Sequence, residues 1–268
     1  MNQPLTNCLA EFRQALHGDN LTAMQRALGI SPATNSASRR PLARYQPNSE
    51  ILPLTHENIC ALSAKPATMR RAGFEPDFAG LTIEGVPGNV LPVITRYLLR
   101  LPEMVAKGRG LALCGGQGTR KTGTLALLAQ AVYTFLPPPF AGEGGLARPE
   151  PVIYRRMPRL LRFLGQYVGF EQQPAWDTEF RQLCRVPFLL VDEFHVHTGG
   201  DRGADMLLEL MDIRSTAPVV TCFALNGLWR ELTNSPHPVL RQIREKLAPR
   251  TRQVLFTGES CRADGWEL

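Results

Sequence analysis

A glycine-rich segment that ends in lysine and threonine contains the residues best suited to chemistry. An apolar, strand-like stretch precedes this segment and a helix-like stretch follows it, as in a phosphate-binding loop, or P-loop. The segment consists of Gly115, Gly116, Gln117, Gly118, Thr119, Arg120, Lys121 and Thr122. Because the backbone N–H groups of such a loop and the positive end of the next helix attract anions, it predicts a nucleotide phosphate site. We expect Lys121 to reach the β- and γ-phosphates and the Thr122 hydroxyl to ligate Mg²⁺.

One position departs from the pattern G-x-x-x-x-G-K-[ST], since Arg120 stands in the place of the second glycine. Glycine at this place lets the backbone approach phosphate without a Cβ atom. Three interpretations follow for Arg120: it points away and leaves the loop intact, it strains the loop, or its guanidinium contacts phosphate. A glycine-rich turn between a strand and a helix, without any ligand, is the competing interpretation of the whole segment.

Two acids, Asp192 and Glu193, follow the apolar run 188–191. Continuous apolar sequence is typical of a buried parallel strand, and ligands bind at the carboxyl ends of such strands. We therefore predict that Asp192 holds Mg²⁺ through its water shell and that Glu193 polarises the attacking water. A strand ending in solvated acids is the alternative, but the order of the two motifs favours a site for ATP and Mg²⁺. His195 and His197 are interpreted as loop residues, with metal binding as the less favoured alternative.

The rest of the chain predicts an α/β protein with a helical region in front of it. From about residue 74 strand-like and helix-like segments alternate, which indicates a parallel sheet with helices on both faces. The helix-like segments include residues 89–106, and Thr55 is expected to cap a helix that begins at His56. The expected parts are a helical partner-binding segment (1–30), a flexible linker (31–50), a helical lead-in (51–73) and the nucleotide-binding domain (74–268).

Composition limits the class of protein. The chain has 268 residues, of which 44% are hydrophobic, so it can form a real core. Its net charge of +6 is compatible with nucleic acid or another acidic partner. Its six cysteines form no C-x-x-C pair, which argues against a zinc site and favours reduced thiols. Neither a signal peptide nor an apolar run of membrane-spanning length is visible, so we expect a cytoplasmic protein without a membrane partner.

The ordered motifs resemble the AAA+ ATPases of the bacterial helicase-loader and transposition-helper group, the DnaC/IstB-like proteins. The resemblance extends over roughly residues 70–262. The similar segments are RRAGFEPDFAGL, GLALCGGQGTRKTGTLALLA, VIYRRMPRLLRFL, FLLVDEF, Asn226 followed by Glu231-Leu232, and FTGESCR, where the family has tyrosine in place of Cys261. The resemblance implies an AAA+ type of P-loop NTPase fold.

The resemblance also implies roles for residues outside the two motifs. Asn226, after the strand-like run 219–225, would contact the γ-phosphate or the attacking water and would lie beside Asp192 if the two strands are neighbours. In the family, an arginine near the end of the domain reaches the γ-phosphate bound by the next subunit. Lys246 stands at that place and offers a charge without the planar fork of arginine. Arg244 and Arg241, on the same predicted helix, are the alternative trans-acting groups.

The implied function is ATP-dependent loading or remodelling of a replicative helicase in DNA replication. The region before about residue 70 would bind the helicase or another DNA-processing protein, and the ATPase domain would self-associate and contact single-stranded DNA. The candidate DNA contacts are Arg155, Arg156, Arg159 and Arg162, whose alternative interpretation is a solvated basic face. A transposition helper that assembles on duplex DNA and an ATP-binding adaptor that has lost hydrolysis are the competing functions.

Overall fold

A computed structural model gives the structure of the chain between residues 54 and 257, apart from three internal gaps. The residues that it describes are 54–136, 150–166, 174–194 and 201–257. The predicted partner-binding segment and linker, the loop histidines His195 and His197, and most of FTGESCR lie outside the described residues. The start of the helical lead-in, residues 51–53, also lies outside them.

The described residues form a five-stranded parallel sheet with the strand order β2-β3-β4-β1-β5. The strands are β1 (Gly110–Gly115), β2 (Val152–Arg156), β3 (Phe188–Asp192), β4 (Val220–Leu225) and β5 (Thr251–Phe256). Every residue of β1, β3 and β4 is buried, as continuous apolar sequence predicts for central parallel strands. Because β4 lies between β1 and β3, the carboxyl ends of all three strands meet at one edge.

Helices cover both faces of this sheet. In the described residues they are α1 (His56–Cys60), α2 (Pro66–Ala72), α3 (Leu91–Leu99), α4 (Leu101–Ala106), α5 (Lys121–Phe135), α6 (Met157–Gly165), α7 (Pro174–Arg185), α8 (Asp201–Thr216) and α9 (Pro238–Leu247). Short 3₁₀ turns span Pro76–Phe78, Ile83–Gly85, Trp229–Asn234 and Ala248–Arg250. No helix within the described ranges is long and apolar enough to cross a membrane.

Alternate residues of the strands feed two separate hydrophobic cores. On β1, Leu113 joins the core beneath α1 to α5, together with Ile59 of the lead-in. Its neighbour Cys114 joins the core beneath α6 to α9, together with Leu210. Helices α1 and α2 therefore pack on the same face of the sheet as the P-loop helix α5.

The predicted helix over residues 89–106 is wrong, because two helices occupy this stretch. The backbone breaks at Arg100, which has φ −110° and ψ 18° and ends α3. Pro102 at the start of α4 cannot donate the hydrogen bond that would continue α3. The predicted cap is confirmed, since the Thr55 hydroxyl accepts a hydrogen bond of 3.2 Å from the Asn58 N–H.

A buried arginine ties together the amino ends of β3 and β4. The side chain of Arg214 donates hydrogen bonds of 2.7 Å to the Leu183 carbonyl, 3.0 Å to the Val186 carbonyl and 2.6 Å to the Val220 carbonyl. It also donates to the Thr221 hydroxyl at 2.9 Å. Burial lowers the pKa of Arg214 to about 9, so the group is still cationic at neutral pH. The Arg214 side chain is thus the shared hydrogen-bond donor for carbonyls near the end of α7, just before β3 and at the start of β4.

Candidate functional site

The P-loop joins β1 to α5, and two of its glycines have conformations or surroundings that exclude other residues. A Cβ atom on Gly115, whose φ is 150°, would lie 2.4 Å from the carbonyl oxygen of Phe256 on β5. Gly118 has φ 78°, in the left-handed region that glycine adopts without steric cost. The close approach of β5 and the tight turn therefore explain two of the glycines without any ligand. A Cβ atom on the third, Gly116, would make only an ordinary contact of 3.9 Å with Thr119.

Arg120 has a backbone conformation that favours glycine. Its φ of 64° and ψ of 21° are left-handed, which costs a residue with a Cβ atom about 1–2 kcal/mol. The Arg120 guanidinium donates a hydrogen bond of 3.2 Å to the Gly85 carbonyl, on a 3₁₀ turn beside the loop. Its own carbonyl accepts the first helical bond of α5, from the Thr124 N–H at 3.0 Å. The side chain of Arg120 thus reaches a residue that lines the cavity of the site.

The Lys121 ammonium is buried within the loop that it is expected to serve. Only 7% of this residue is exposed. The ammonium donates to the Gly115 carbonyl at 3.0 Å, the Gly116 carbonyl at 2.5 Å and the Thr119 hydroxyl at 3.2 Å. A buried charge needs such partners, and phosphate oxygens are stronger acceptors than carbonyls. The charge is therefore held within the loop by three weaker acceptors that a phosphate could replace.

Thr122 and Asp192, which are 70 residues apart in sequence, meet at 2.6 Å. The Thr122 hydroxyl donates to one Asp192 oxygen, and the phenol of Tyr154 donates to the same oxygen at 3.1 Å. The other Asp192 oxygen accepts the Glu193 N–H at 2.8 Å. A hydroxyl and a fixed carboxylate fit Mg²⁺, which takes one or two protein oxygens and leaves its other positions to water and phosphate. Among the described residues, no cluster of three or more acids, histidines or cysteines offers an all-protein metal site.

Tyr154 is a site residue that the sequence analysis missed. Its ring stacks on Phe74 with 3.9 Å between the centroids, and this contact fixes the phenol beside Asp192. Burial, together with the nearby Asp192 carboxylate, raises the pKa of Tyr154, so the phenol remains a hydrogen-bond donor. In the sequence, Tyr154 is only a hydroxyl-bearing residue in the apolar first part of β2. Its position beside Asp192 follows from the pairing of β2 with β3, which the sequence does not reveal.

The Glu193 carboxylate is held by an arginine. Arg156 donates from Nη2 to Glu193 Oε1 at 2.5 Å and from Nε to Oε2 at 3.2 Å. The pairing follows from the sheet, because Arg156 ends β2 opposite Asp192 in the register of β2 and β3. Glu193 itself has φ 56°, so the chain turns sharply as it leaves β3. The candidate base is therefore engaged in a two-point ion pair rather than free to bind water.

One cavity of about 560 Å³ collects the predicted site residues. Lys121, Thr122, Asp192, Glu193 and Asn226 all line it, together with Arg120 and the loop residues 117–119. Asn226 reaches the cavity because β4 is the direct neighbour of β3, as the sequence analysis required for this residue to lie near Asp192. The volume falls in the range of sites for small molecules and cofactors.

One side of this cavity comes from a segment to which the sequence analysis assigned no role. Residues 77–86 carry Phe78, Leu81 and Val86 to the cavity, beside the start of α5. Leu81 approaches α5 so closely that a Cβ atom on Gly123 would lie 3.2 Å from its side chain. Apolar side chains beside a phosphate loop suit a nucleobase, because the two ends of a nucleotide need different surroundings. In the sequence, the segment RRAGFEPDFAGL resembles a stretch of the family, but this resemblance predicted no contact with the nucleotide site.

The candidate trans-acting residues lie on α9 and do not line the cavity. Lys246 forms an ion pair with Asp212 of α8. Arg241 donates to the Ser235 carbonyl at 2.6 Å, and the Arg244 Nε atom is buried without a hydrogen-bond partner in the described part of the chain. Within one chain these groups are thus separate from the phosphate loop, and a role at the nucleotide would need a second copy.

The candidate DNA-contacting arginines are largely occupied by acids. Arg155 pairs with Glu179 at 2.9 Å and Arg159 lies 3.8 Å from Glu75. Arg156 holds Glu193, as described above, and also lies 3.6 Å from Glu75. Such pairs reduce the positive potential of this face, so it is a weaker candidate for DNA than the sequence alone indicates.

No family model matches the chain, and no curated protein matches its sequence. Its fold, however, is similar to solved structures. The crystal structure of DnaI is 19% identical, with a TM-score of 0.51 over 71% of this chain and 95% of that one. A putative primosome component from Streptococcus pyogenes serotype M3 is 15% identical, with a TM-score of 0.51 over 74% of this chain and 99% of that one. A likeness at this level of identity shows the fold alone, and that fold is the α/β P-loop NTPase fold that the chain shares with these two structures.

Proposed function

We propose that the chain is an ATP-binding AAA+ protein of DNA replication that loads or remodels a replicative helicase and hydrolyses ATP with Mg²⁺. The observation that carries the nucleotide part is the 2.6 Å contact of Thr122 with Asp192 at the edge of the cavity that the P-loop lines. Two motifs far apart in sequence meet there in the arrangement that Mg²⁺ and a triphosphate need. The replication part is supported by fold likeness to DnaI and to a putative primosome component.

In this proposal each wall of the cavity has one task. The loop N–H groups and Lys121 bind the phosphates, and Lys121 exchanges the Gly115 and Gly116 carbonyls for phosphate oxygens. Thr122 and Asp192 hold Mg²⁺, which would neutralise phosphate charge when bound. The segment 77–86 takes the nucleoside.

For hydrolysis, we assign Glu193 to the attacking water and Asn226 to the γ-phosphate or the same water. Glu193 can take up this role only after it releases Arg156, because both carboxylate oxygens accept from that guanidinium. The pair is partly exposed, at 40% for Arg156 and 33% for Glu193. Ion pairs in such surroundings contribute about 1 kcal/mol or less, so exchange for water or another acid is accessible.

Partner binding completes the proposal. The region before about residue 70 binds the helicase, and the ATPase domains associate so that Lys246 or Arg244 of one copy serves the nucleotide of the next. In this proposal the ATPase domain also contacts single-stranded DNA. These assignments rest on the resemblance of the motifs, and a binding experiment with a replicative helicase hexamer tests the first of them. Retention of the helicase by the full chain, but not by a chain lacking residues 1–53, supports it, whereas specific retention of a transposase assigns the transposition role.

A hydrolysis-deficient adaptor is the second candidate, favoured by the Arg156–Glu193 pair and by the left-handed Arg120. Phosphate release by the purified full chain, with and without single-stranded DNA, separates the two. We expect ATP-dependent turnover in the parent and a loss of about 100-fold or more in Glu193→Gln, with ATP binding retained. Turnover that is absent in the parent under both conditions, while ATP still binds, assigns the adaptor role.

A further inference from the structure

Five arginines surround a cleft at the end of the sheet that is remote from the P-loop. The cleft has a volume of about 210 Å³ and lies between the helices before β1 and the start of β5. We call it the arginine cleft, because five arginines line it: Arg96, Arg100, Arg109, Arg250 and Arg252. The lining residues include no aspartate or glutamate within the described part of the chain.

The floor of the arginine cleft is fixed by the fold. The buried Tyr97 donates from its phenol to the Arg109 carbonyl at 2.8 Å, which ties α3 to the residue before β1. Strand pairing then sets Gly110 opposite Thr251 and Leu111 opposite Arg252. Because these are the first residues of β1 and the P-loop follows its last, the two sites are separated by the strand length, about 17 Å.

Most of the positive charge of the arginine cleft has no acidic partner among the described residues. Arg100 pairs with Glu103 at 2.7 Å, and the Arg250 guanidinium donates to the Ala217 carbonyl at 2.7 Å. In the described residues, Arg96, Arg109 and Arg252 have no acidic partner, and all three are exposed. This differs from the surface that carries the candidate DNA contacts Arg155, Arg156, Arg159 and Arg162, which we call the α6 face. There, glutamates form ion pairs with the first three of these arginines. Like charges held together without acids raise the free energy of the free protein, and a bound polyanion relieves this repulsion.

We infer that the arginine cleft binds the phosphate backbone of single-stranded nucleic acid. Guanidinium groups match phosphate with a planar fork of donors, and all five basic residues here are arginine. A flexible single strand can bring successive phosphates into a concave cleft, whereas the phosphates of a duplex lie on a rigid convex surface. Val93 and Met104 add apolar surface beside the charges, which suits sugar and base. The choice of nucleic acid among polyanions rests on the proposed role in replication.

The test is the affinity of the full chain for a dye-labelled oligothymidylate, measured by fluorescence anisotropy at several salt concentrations. The variant Arg96→Ala/Arg252→Ala should bind about 10-fold or more weakly. The slope of log affinity against log salt should fall by about 1.4, since each phosphate contact on a single strand contributes about 0.7. Arg185→Ala, which removes an exposed arginine elsewhere, and Arg162→Ala on the α6 face should each change the affinity less than about twofold.

Two further measurements show whether a loss of DNA binding arises at the arginine cleft or from damage to the rest of the protein. ATP binding by the same samples should be unchanged in the cleft variant, which keeps the nucleotide site and this inference separately testable. If the double alanine variant loses ATP binding or unfolds, Arg96→Lys/Arg252→Lys, which keeps the charge without the fork, replaces it and should bind the oligonucleotide several-fold more weakly than the parent. Three results overturn the inference: no DNA binding by the parent, an equal loss in Arg162→Ala, or equally effective displacement of the oligonucleotide by poly-glutamate of matched length.

Discussion

Arg156, the last residue of β2, holds both carboxylate oxygens of Glu193, the residue that follows β3, at 2.5 Å and 3.2 Å. The two residues meet because β2 and β3 are paired in a register that sets Arg156 opposite Asp192. The same pair links two roles that the sequence assigns separately, since Arg156 is a candidate DNA contact and Glu193 a candidate base. A group that takes up Arg156 would release the carboxylate into the cavity.

Removing Arg156 should therefore free Glu193 for catalysis. We expect Arg156→Ala to raise the basal rate of ATP hydrolysis several-fold while the affinity for ATP stays the same, because the guanidinium contacts the carboxylate and not the P-loop. Arg159→Ala is the matched control, since Arg159 lies near Glu75 but has no bond to Glu193. Steady-state phosphate release together with ATP titration measures both quantities. A fall in rate at unchanged affinity would instead mean that Arg156 orients the base.

Arg120 separates the backbone and side-chain effects of the altered P-loop. Arg120→Gly removes the Cβ atom, so the backbone can approach phosphate more closely and ATP should bind several-fold more tightly. Arg120→Ala keeps the Cβ atom and the strain but loses the bond to the Gly85 carbonyl, so it should bind no more tightly than the parent. Calorimetric titration at one salt and Mg²⁺ concentration compares the three proteins. Weaker binding in both variants would assign the guanidinium to the phosphates.

Much of the nucleotide-binding edge could be predicted from local sequence. The apolar runs before Gly115 and before Asp192 are long enough to identify buried strands, and their polar endings indicate the edge at which we propose that nucleotide binds. Two features depended on strand order instead. The Arg156–Glu193 pair and the contact of Tyr154 with Asp192 arise from the register of β2 with β3, which no local pattern determines. The break at Arg100 was missed because the apolar periodicity continues through it, while Pro102 limits the helix on steric grounds.

Arg214 should be a main determinant of stability although it lies far from the nucleotide. Arg214→Met removes the shared donor of three buried carbonyls and the Thr221 hydroxyl, and each unsatisfied group costs about 1–3 kcal/mol. We expect the free energy of unfolding to fall by at least about 3 kcal/mol, measured by urea titration. Arg185→Met, at an exposed position at the end of α7, is the control and should change it by less than about 0.5 kcal/mol. If the free energy of unfolding falls as little in Arg214→Met as in Arg185→Met, the buried hydrogen bonds of Arg214 are not needed for stability.

The central claim is that the cavity beside Thr122 and Asp192 binds ATP with Mg²⁺ through the P-loop lysine. Its most direct test is calorimetric titration of the full chain with ATP, in Mg²⁺ and in a chelator, comparing the parent with Lys121→Ala and Lys107→Ala. Lys107 is exposed and pairs with Glu103, so its loss removes the same charge away from the cavity. We predict Mg²⁺-dependent binding in the parent and in Lys107→Ala, and an affinity at least several-fold weaker in Lys121→Ala, because a hydrogen bond to a charged group contributes roughly 1.5–3 kcal/mol. Equal affinity in all three proteins, or no binding by the parent, would contradict the claim.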